Sequence, residues 1–376
     1  MVLLVIIAPF VAKLIKFLYH LCAALVTSNH SLIESSANGI LYPFESESRN
    51  IRSLDGIWNF RLAAENESNN GSTGKWYEQE LQKTGPTIPM PVPASYNDIT
   101  EEKSIRDHVG TVRYDRDFFI PKCWSSKDTK VWIRFGGVHY EAIVYINGKL
   151  VVHQEGGHIP FQAEVTSVLK FGEKNLISVA VNNTLTDITV PQGEVTSLQT
   201  DNGSIKIQKY TFDFFNYAGI HRPVLLYTTP TTYIDDIYVQ TDIHEDNGII
   251  KYSITIGNNN ENSSNVLVSV LDRDGNYIIR DVNATEGELV IPQAKLWWPY
   301  LMDPEPAYLY SLQCDCKYDS IYTQESAELL GSRLKIGIRK LEWTNDTFTI
   351  NGKPIYMRGL EDMKILISVE KDMISH

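Results

Sequence analysis

The sequence predicts an all-β protein with two successive β-sandwiches and the first hairpin of a third unit. Apolar and polar residues alternate with period two over much of the chain. Turn-forming pairs such as Asn-Gly and Asp-Gly separate several of these runs. No long amphipathic helix interrupts residues 50–228. The 376 residues leave room for two or three domains of ordinary size.

Residues 1–28 form an apolar segment that differs from the rest of the chain. Two apolar runs, residues 1–12 and 17–26, flank Lys13 and Lys16. Each run is shorter than the roughly 20 residues that cross a bilayer, and a basic flank before an apolar run is typical of a signal peptide. We therefore expect a signal peptide, a retained signal anchor or a mis-started gene model, and no stable membrane span.

Eight Asn-x-Ser/Thr triplets occur in the chain. Such triplets also arise by chance, but after an apparent leader they favour a glycosylated product of the secretory pathway, either lysosomal or extracellular. One triplet begins at Asn29, directly after the leader, and the candidate glycosylation sites beyond it are Asn66, Asn70, Asn182, Asn202, Asn262, Asn283 and Asn345.

The charge balance excludes some classes of function. The formal net charge is -12, so we expect no nucleic acid as a partner, because such binding depends on Lys and Arg at phosphates. Three histidines, His139, His153 and His158, lie near Glu155, but their spacing matches no metal-ligand pattern. We expect ordinary surface or loop histidines, no metal site and no cofactor.

Residues 29–229 predict the first sandwich, an antiparallel jelly roll. Period-two runs at residues 54–62, 109–120 and 175–181 are typical of strands, and Asn-Gly at 147–148 joins two further runs as a hairpin. The segment 86–93 contains four prolines, which cannot donate to a sheet ladder, so it predicts a surface crossing rather than a central strand.

Residues 230–344 predict the second sandwich. Thr-Pro-Thr-Thr at residues 229–232 suits a domain boundary, and roughly seven short strands follow within about 110 residues. This number and spacing are typical of an immunoglobulin-like domain. Its predicted strands are residues 237–241, 249–256, 266–271, 277–279, 308–312 and 334–338.

A third unit begins within residues 345–376. Asn-Gly at 351–352 predicts a hairpin that leads into a new strand. The residues that remain are too few to close a domain, so we expect this strand to lack the rest of its sheet.

One segment of the first sandwich resembles a known signature. It reads Phe-Asp-Phe-Phe-Asn-Tyr-Ala-Gly-Ile-His-Arg at residues 212–222, and it is similar to the sugar-binding-domain signature of β-glucuronidases in glycoside hydrolase family two. Other motifs of that family match in the same order between about residues 40 and 359. They are Leu-Asp-Gly-Ile-Trp at 54–58, Met-Pro-Val-Pro-Ala-Ser-Tyr-Asn-Asp-Ile at 90–99, Glu-Gly-Gly-His-Ile-Pro-Phe at 155–161, Leu-Trp-Trp-Pro-Tyr-Leu-Met at 296–302 and Asn-Gly-Lys-Pro at 351–354.

The resemblance implies a jelly roll, an immunoglobulin-like domain and a TIM barrel, here truncated after its first hairpin. Retaining enzymes of this kind use two carboxyl groups, which the barrel carries at the ends of its strands. Those positions would follow residue 376, and the chain departs from the family pattern after Gly359. The resemblance therefore implies no catalytic residue within this chain.

One substrate contact is implied by the resemblance. Asp213 matches the aspartate that reaches from the jelly roll to the sugar in the barrel, and a carboxylate can accept hydrogen bonds from sugar hydroxyls. Residue chemistry alone leaves a loop-fixing aspartate as the alternative. Arg222 is a further possible contact to a glucuronate carboxylate, although Asn216, His221 and Arg222 are expected mainly to stabilise their loop.

The sequence thus leads to a functional expectation and an alternative. We expect the non-catalytic amino-terminal half of a hydrolase of terminal β-glucuronides, including sugars from glycosaminoglycans, that is inactive as this chain. The family is typically tetrameric, so a homo-oligomer is expected for the full-length enzyme. The alternative is a carbohydrate-binding or subunit-interaction module without turnover.

Overall fold

A computed structural model describes residues 41–63, 75–200, 203–211, 215–257, 265–317 and 329–355. Every strand pair in these residues is antiparallel, and helices are limited to single turns. The predicted leader at residues 1–28 lies outside the described residues. Among the residues that the structure describes, no helix is both long enough and apolar enough to cross a membrane.

The first sandwich contains twelve strands in the described residues, with three single-turn helices on its loops. The helices are α1 (Leu81–Thr84), α2 (Tyr96–Ile99) and α3 (Lys103–Arg106). The strands are β1 (Ile51–Ser53), β2 (Gly56–Leu62), β3 (Ile88–Val92), β4 (Thr111–Phe119), β5 (Thr129–Phe135), β6 (Glu141–Ile146), β7 (Lys149–Glu155), β8 (Phe161–Glu164), β9 (Lys174–Asn182), β10 (Gly193–Thr200), β11 (Gly203–Tyr210) and β12 (Val224–Pro230).

Two sheets enclose the core of the first sandwich. One sheet has the order β1-β12-β5-β8 and the other β3-β2-β4-β9-β6-β7, while β10 and β11 form a separate hairpin. Alternate residues of each strand face inward, because successive side chains of a strand point to opposite faces. The burial of β6 shows the pattern, since Ala142, Val144 and Ile146 are buried while the residues between them are half-buried.

The proline-rich segment at residues 86–93 forms a strand after all, but only at a sheet edge. Strand β3 pairs with β2 alone, and it carries Pro89 and Pro91. A strand with one neighbour needs only half of its backbone groups for pairing, so an edge tolerates residues that lack an N–H. The prediction of a surface crossing was therefore wrong in its secondary structure, although the segment does avoid the sheet centre.

Within the described residues the second sandwich contains seven strands, as the number of predicted strands indicated. One sheet has the order β13-β14-β17 and the other β16-β15-β18-β19. Its core is a separate cluster of buried side chains that includes Cys314 and Cys316, which face the same side of one strand. The strands are β13 (Tyr233–His244), β14 (Asn247–Gly257), β15 (Asn265–Leu271), β16 (Tyr277–Asn283), β17 (Glu286–Ile291), β18 (Tyr310–Lys317) and β19 (Leu329–Ile336).

A polar and aromatic junction joins the two sandwiches. Arg49 is only 8% exposed, and its guanidinium donates a hydrogen bond to the Ile234 carbonyl in the second sandwich. Trp132 of the first sandwich lies with its ring centroid 5.6 Å from that of Tyr233. Burial raises the pKa of Asp235, and the neighbouring carboxylate of Asp236 raises it further. The junction is therefore partly desolvated.

A small sheet follows the second sandwich. It consists of β20 (Leu341–Trp343), β21 (Phe348–Ile350) and β22 (Lys353–Pro354), and the predicted Asn-Gly turn connects the last two strands. Asn351 adopts a positive φ of 50°, as a tight hairpin turn requires. The described residues contain no closed barrel, so the identity of this sheet as the start of a barrel stays a prediction.

Candidate functional site

The residues that follow the signature aspartate lie at one end of the first sandwich. Asp213 itself lies outside the described residues, which resume at Phe215. From there the backbone runs along the connection between β3 and α2, where the Ala94 and Tyr96 amides donate to the carbonyls of Ile220 and Ala218 at 3.0 and 3.1 Å. The segment following Asp213 is therefore fixed to the body of the sandwich.

Asn216 is the best anchored side chain of this segment. It is buried, and its amide oxygen accepts a hydrogen bond from the Tyr140 hydroxyl. Its backbone carbonyl accepts from the Asn97 amide at 2.8 Å, and the Asn97 oxygen in turn accepts from the Ala218 amide at 2.8 Å. These contacts confirm that Asn216 stabilises its loop.

A cluster of three histidines lies beneath the same segment. The His139 ring contacts the rings of His158, His221 and Tyr217, with centroids 4.3, 4.2 and 4.6 Å away. His139 lies in the connection between two strands, as expected of a loop histidine, but it is fully buried instead of lying on the surface. Sequence spacing gave no sign of this, because β5, β7 and the signature segment bring the rings together from distant positions.

Close backbone approach around the cluster requires glycine. A Cβ atom on Gly157 would lie 2.2 Å from the Cδ2 of His139 and 2.6 Å from the Val138 carbonyl oxygen. A Cβ on Gly137 would lie 3.0 Å from the His221 ring. The Glu-Gly-Gly-His motif of the sequence therefore lets β7 pass close to His139.

Burial keeps two of these histidines neutral. The pKa of His139 is lowered to about 3, mainly by desolvation; the contact with the Tyr217 carbonyl opposes this shift, and the neighbouring basic groups of His221, His158 and Arg222 add to it. Desolvation also lowers the pKa of His221 to about 4. Both ring nitrogens of His221 are buried and lack a partner in good hydrogen-bond geometry.

A groove of about 1370 Å³ opens beside the signature segment. Basic groups and aromatic rings both contribute to its walls. Asp107 is the acidic residue of the lining, and it pairs with Arg106 at 2.9 Å. Such a surface offers donors and a ring face to an anionic, hydroxyl-rich ligand. The lining includes Lys103, Arg106, His108, Lys206, Tyr210 and Phe215.

A second polar cluster lies on the outer face of the six-stranded sheet. Ligand atoms of Glu141, His153 and Glu155 lie within 4.8 Å of one another. The His153 Nε2 lies 2.9 Å from one oxygen of Glu141, and the Asn182 amide donates to the other oxygen at 3.2 Å. Both Glu141 oxygens thus have hydrogen-bond partners within the protein.

Three of the candidate glycosylation sites can be placed. Asn283 ends an exposed strand, and Asn345 lies exposed in the β20–β21 turn. Asn182 is half-buried, and its amide oxygen accepts from the Thr184 amide at 3.1 Å. The other four candidates, Asn66, Asn70, Asn202 and Asn262, lie outside the described residues.

Each of the two sandwiches matches a model of a known protein family. Residues 51–230 match the sugar binding domain of the glycosyl hydrolases family 2, and residues 232–339 match a second model of that family. Together these segments cover more than half of the chain.

Similar full-length proteins extend well beyond the part that this chain matches. The chain is 43% identical over 329 residues to a β-glucuronidase of Rattus norvegicus and 40% identical over 331 residues to one of Homo sapiens. These alignments cover 86% of the chain but only 49% and 50% of the relatives. The chain thus spans about half the length of the curated relatives it matches.

Solved structures show the same pattern. A β-glucuronidase of Ruminococcus gnavus superposes with a TM-score of 0.72 at 30% identity, covering 85% of this chain and 50% of the other. One of Lactobacillus rhamnosus superposes with a TM-score of 0.73 at 30% identity, covering 86% of this chain and 50% of the other.

Proposed function

This chain belongs to family 2 of the glycosyl hydrolases, and we propose that it forms the amino-terminal, substrate-contacting part of a β-glucuronidase. The ordered match of both sandwiches to β-glucuronidases carries the proposal. On this basis the small sheet at residues 341–354 is the first hairpin of a TIM barrel, and the domains divide at residues 28, 229 and 344.

Asp213 is the substrate contact that we propose for this part of the enzyme. The residues that follow it are fixed through Asn216 and Ala218, and a preorganised neighbouring backbone lowers the entropy that is lost when its carboxylate binds a substrate. Ionised, that carboxylate accepts hydrogen bonds from sugar hydroxyls.

The groove beside the segment suits the anionic part of such a substrate. A glucuronide carries a carboxylate, and glycosaminoglycan fragments carry several anionic groups. A charge-assisted hydrogen bond from Lys103 favours these groups. The groove is thus a candidate for holding the sugar chain while the reaction takes place elsewhere in the enzyme.

The polypeptide of 376 residues is proposed to be inactive by itself. Retaining hydrolysis needs an acid and a nucleophile about 5 Å apart on either side of the scissile bond. The residues described around the groove offer amides, cations and rings, whose role is to bind and orient.

We further propose entry into the secretory pathway, with a lysosomal or extracellular destination, and a homo-oligomeric full-length enzyme. Asn283 is the clearest glycosylation site because it lies exposed at a strand end. In a secreting eukaryotic host, Asn283→Gln should remove the mass of one glycan and change the unfolding free energy by less than about 0.5 kcal/mol. An unchanged mass would exclude this site.

A carbohydrate-binding module without turnover is the second candidate function. The description of the first matched domain as sugar binding favours it, as does the basic groove. It predicts that the chain binds a glucuronide oligosaccharide without cleaving it.

The decisive experiment compares the purified chain with the longest protein expressed from the same gene. We expect no turnover of a chromogenic β-glucuronide by the chain, and turnover above a no-protein blank by the longer protein. Turnover by the chain would refute its inactivity. In the longer protein, Asp213→Asn should lower kcat/KM at least tenfold.

Asp274→Asn, which alters an exposed turn of the second sandwich, is the matched control. It should leave turnover unchanged. Equal activity of the Asp213 variant and this control would refute the assignment of Asp213 as a substrate contact.

A further inference from the structure

Two imidazole rings lie in a row between two backbone carbonyl oxygens. The His139 Nδ1 lies 2.7 Å from the Tyr217 carbonyl oxygen, and the His139 Nε2 lies 3.2 Å from the His158 Nδ1. The His158 Nε2 lies 2.7 Å from the Val190 carbonyl oxygen. The row therefore consists of three contacts at hydrogen-bonding distance.

Counting protons shows what this row requires. A carbonyl oxygen can only accept, so both terminal contacts need an N–H, and the central contact needs one more. Two neutral imidazoles carry only two N–H groups between them. In every neutral arrangement, one contact places two lone pairs against each other. One additional proton satisfies all three contacts and leaves the pair with a single positive charge.

The two rings of the row differ in their surroundings. His139 is fully buried, and the nearby charge of Arg222 opposes a charge on it. The Tyr140 ring stacks on His139 at 4.6 Å and lies 6.0 Å from His158. His158 is only half-buried, so the row reaches solvent at the end that faces Val190.

The two carbonyls belong to separate segments of the chain. Val190 lies in the loop at residues 186–192, which leads into the β10–β11 hairpin. Tyr217 lies in the segment that follows Asp213. The residues of this loop other than Val190 bond mainly to one another, as shown by Thr189, whose hydroxyl donates to the Pro191 carbonyl at 2.8 Å.

We propose that His139 and His158 are positioning residues, acting as an imidazole pair that closes when it takes up one proton. The closed pair ties residues 186–192 to the segment at Phe215–Ile220. A mildly acidic compartment then favours the closed arrangement. This closure goes beyond the proposed function and does not rest on it.

The closure can be measured on this chain by hydrogen exchange with mass spectrometry. After correction for the intrinsic exchange rate, we expect amides of residues 186–193 and 215–222 to be about tenfold better protected near pH 5 than near pH 7.5. The Gly193 amide, which donates to Thr186 at 3.0 Å, is one reporter. Equal protection at both pH values would overturn the proposal.

Three variants separate closure from general effects of acid. His158→Gln keeps a donor and an acceptor but cannot become charged, and His158→Phe keeps the ring without either group. Both should lose the pH dependence. His244→Gln removes an exposed histidine of the second sandwich and should behave as the parent chain. A pH-dependent gain that persists in His158→Gln would also overturn the proposal.

Nitrogen-15 spectra of the imidazoles give an independent count. The pair should show three N–H protons near pH 5 and two near pH 7.5, and a count that stays at two would contradict closure. Failure of the longer protein to cleave glucuronides would refute the proposed function, but it would leave these exchange and spectral results unchanged.

Discussion

The two sandwiches follow the same rules of strand pairing but differ in what they bury. The first buries charged and amide side chains, among them Asp115, Arg134, His139 and Asn216. The second sandwich encloses a nearly apolar cluster, and its buried polar side chains, within the described residues, are Thr232, Ser269, Ser311 and Asp315. Comparable sheets therefore enclose quite different interiors.

This difference indicates that the first sandwich holds a site of fixed geometry, whereas the second sandwich mainly supports it. A buried polar group is costly unless it is bonded, so each polar side chain of the first sandwich restricts its neighbours to one arrangement. An apolar core tolerates rearrangement as long as volume is conserved. We infer that geometry near the signature segment is set by hydrogen bonds, whereas the second sandwich is held mainly by packing.

The largest expected effect tests the packing of the second sandwich. Leu312 is fully buried in its core, and Leu312→Ala should lower the free energy of unfolding by about 3–4 kcal/mol, through lost burial and a residual cavity. Urea unfolding measures the loss. Hydrogen exchange should show the His139 region unchanged, and loosening of that region would break the proposed separation of the two sandwiches.

The next effect tests close approach in the first sandwich. Gly157→Ala should lower the free energy of unfolding by about 2–3 kcal/mol, because its new methyl group meets the His139 ring and a backbone carbonyl. Gly156→Ala is the matched control, since open space surrounds that position and only its positive φ is strained. It should cost about 1 kcal/mol. Equal losses in thermal unfolding would show that the contact with His139 is loose.

A smaller effect tests hydrogen bonding in the signature segment. Asn216→Ala leaves the buried Tyr140 hydroxyl without its acceptor. It should lower the free energy of unfolding by about 2 kcal/mol. Adding Tyr140→Phe removes the unpaired group, so the double variant should be less destabilised than the sum of the single variants. Simple additivity in urea unfolding would show that the two side chains do not interact.

The smallest effect concerns pH. Burial lowers the pKa of His221 to about 4 in the folded chain, against about 6.5 unfolded. The unfolded state therefore binds more protons between these values, and stability falls as pH falls from about 6.5 to about 4. His221→Gln should reduce this loss by about 1 kcal/mol, after allowing for the partial exposure of the ring. An identical pH profile would show that His221 is not desolvated.

Much of the fold could be predicted from local patterns. The hairpin at Asn147 and Gly148, the strands around residues 54–62 and 175–181, and the seven strands of the second sandwich follow from alternation and turn residues. Such signals act within a few neighbouring residues. The edge position of β3 was missed because its prolines exclude a central place but not strand geometry.

The candidate site could be predicted only in part. The signature motif located the segment after Asp213, and it indicated that Asn216 holds its loop. It gave no sign that Tyr140 bonds to Asn216, 76 residues away, or that His139 meets His158, 19 residues away. Single positions with ordinary spacing carry no signal of such contacts.

The sequence by itself determined the sheets, the turns and the family, because period-two alternation and short motifs express local conformation directly. Only the tertiary structure decided which polar side chains meet, and therefore which histidines are neutral and which contact lacks a proton. The physical reason is that burial and hydrogen bonding depend on neighbours that strand pairing brings together across many residues of chain.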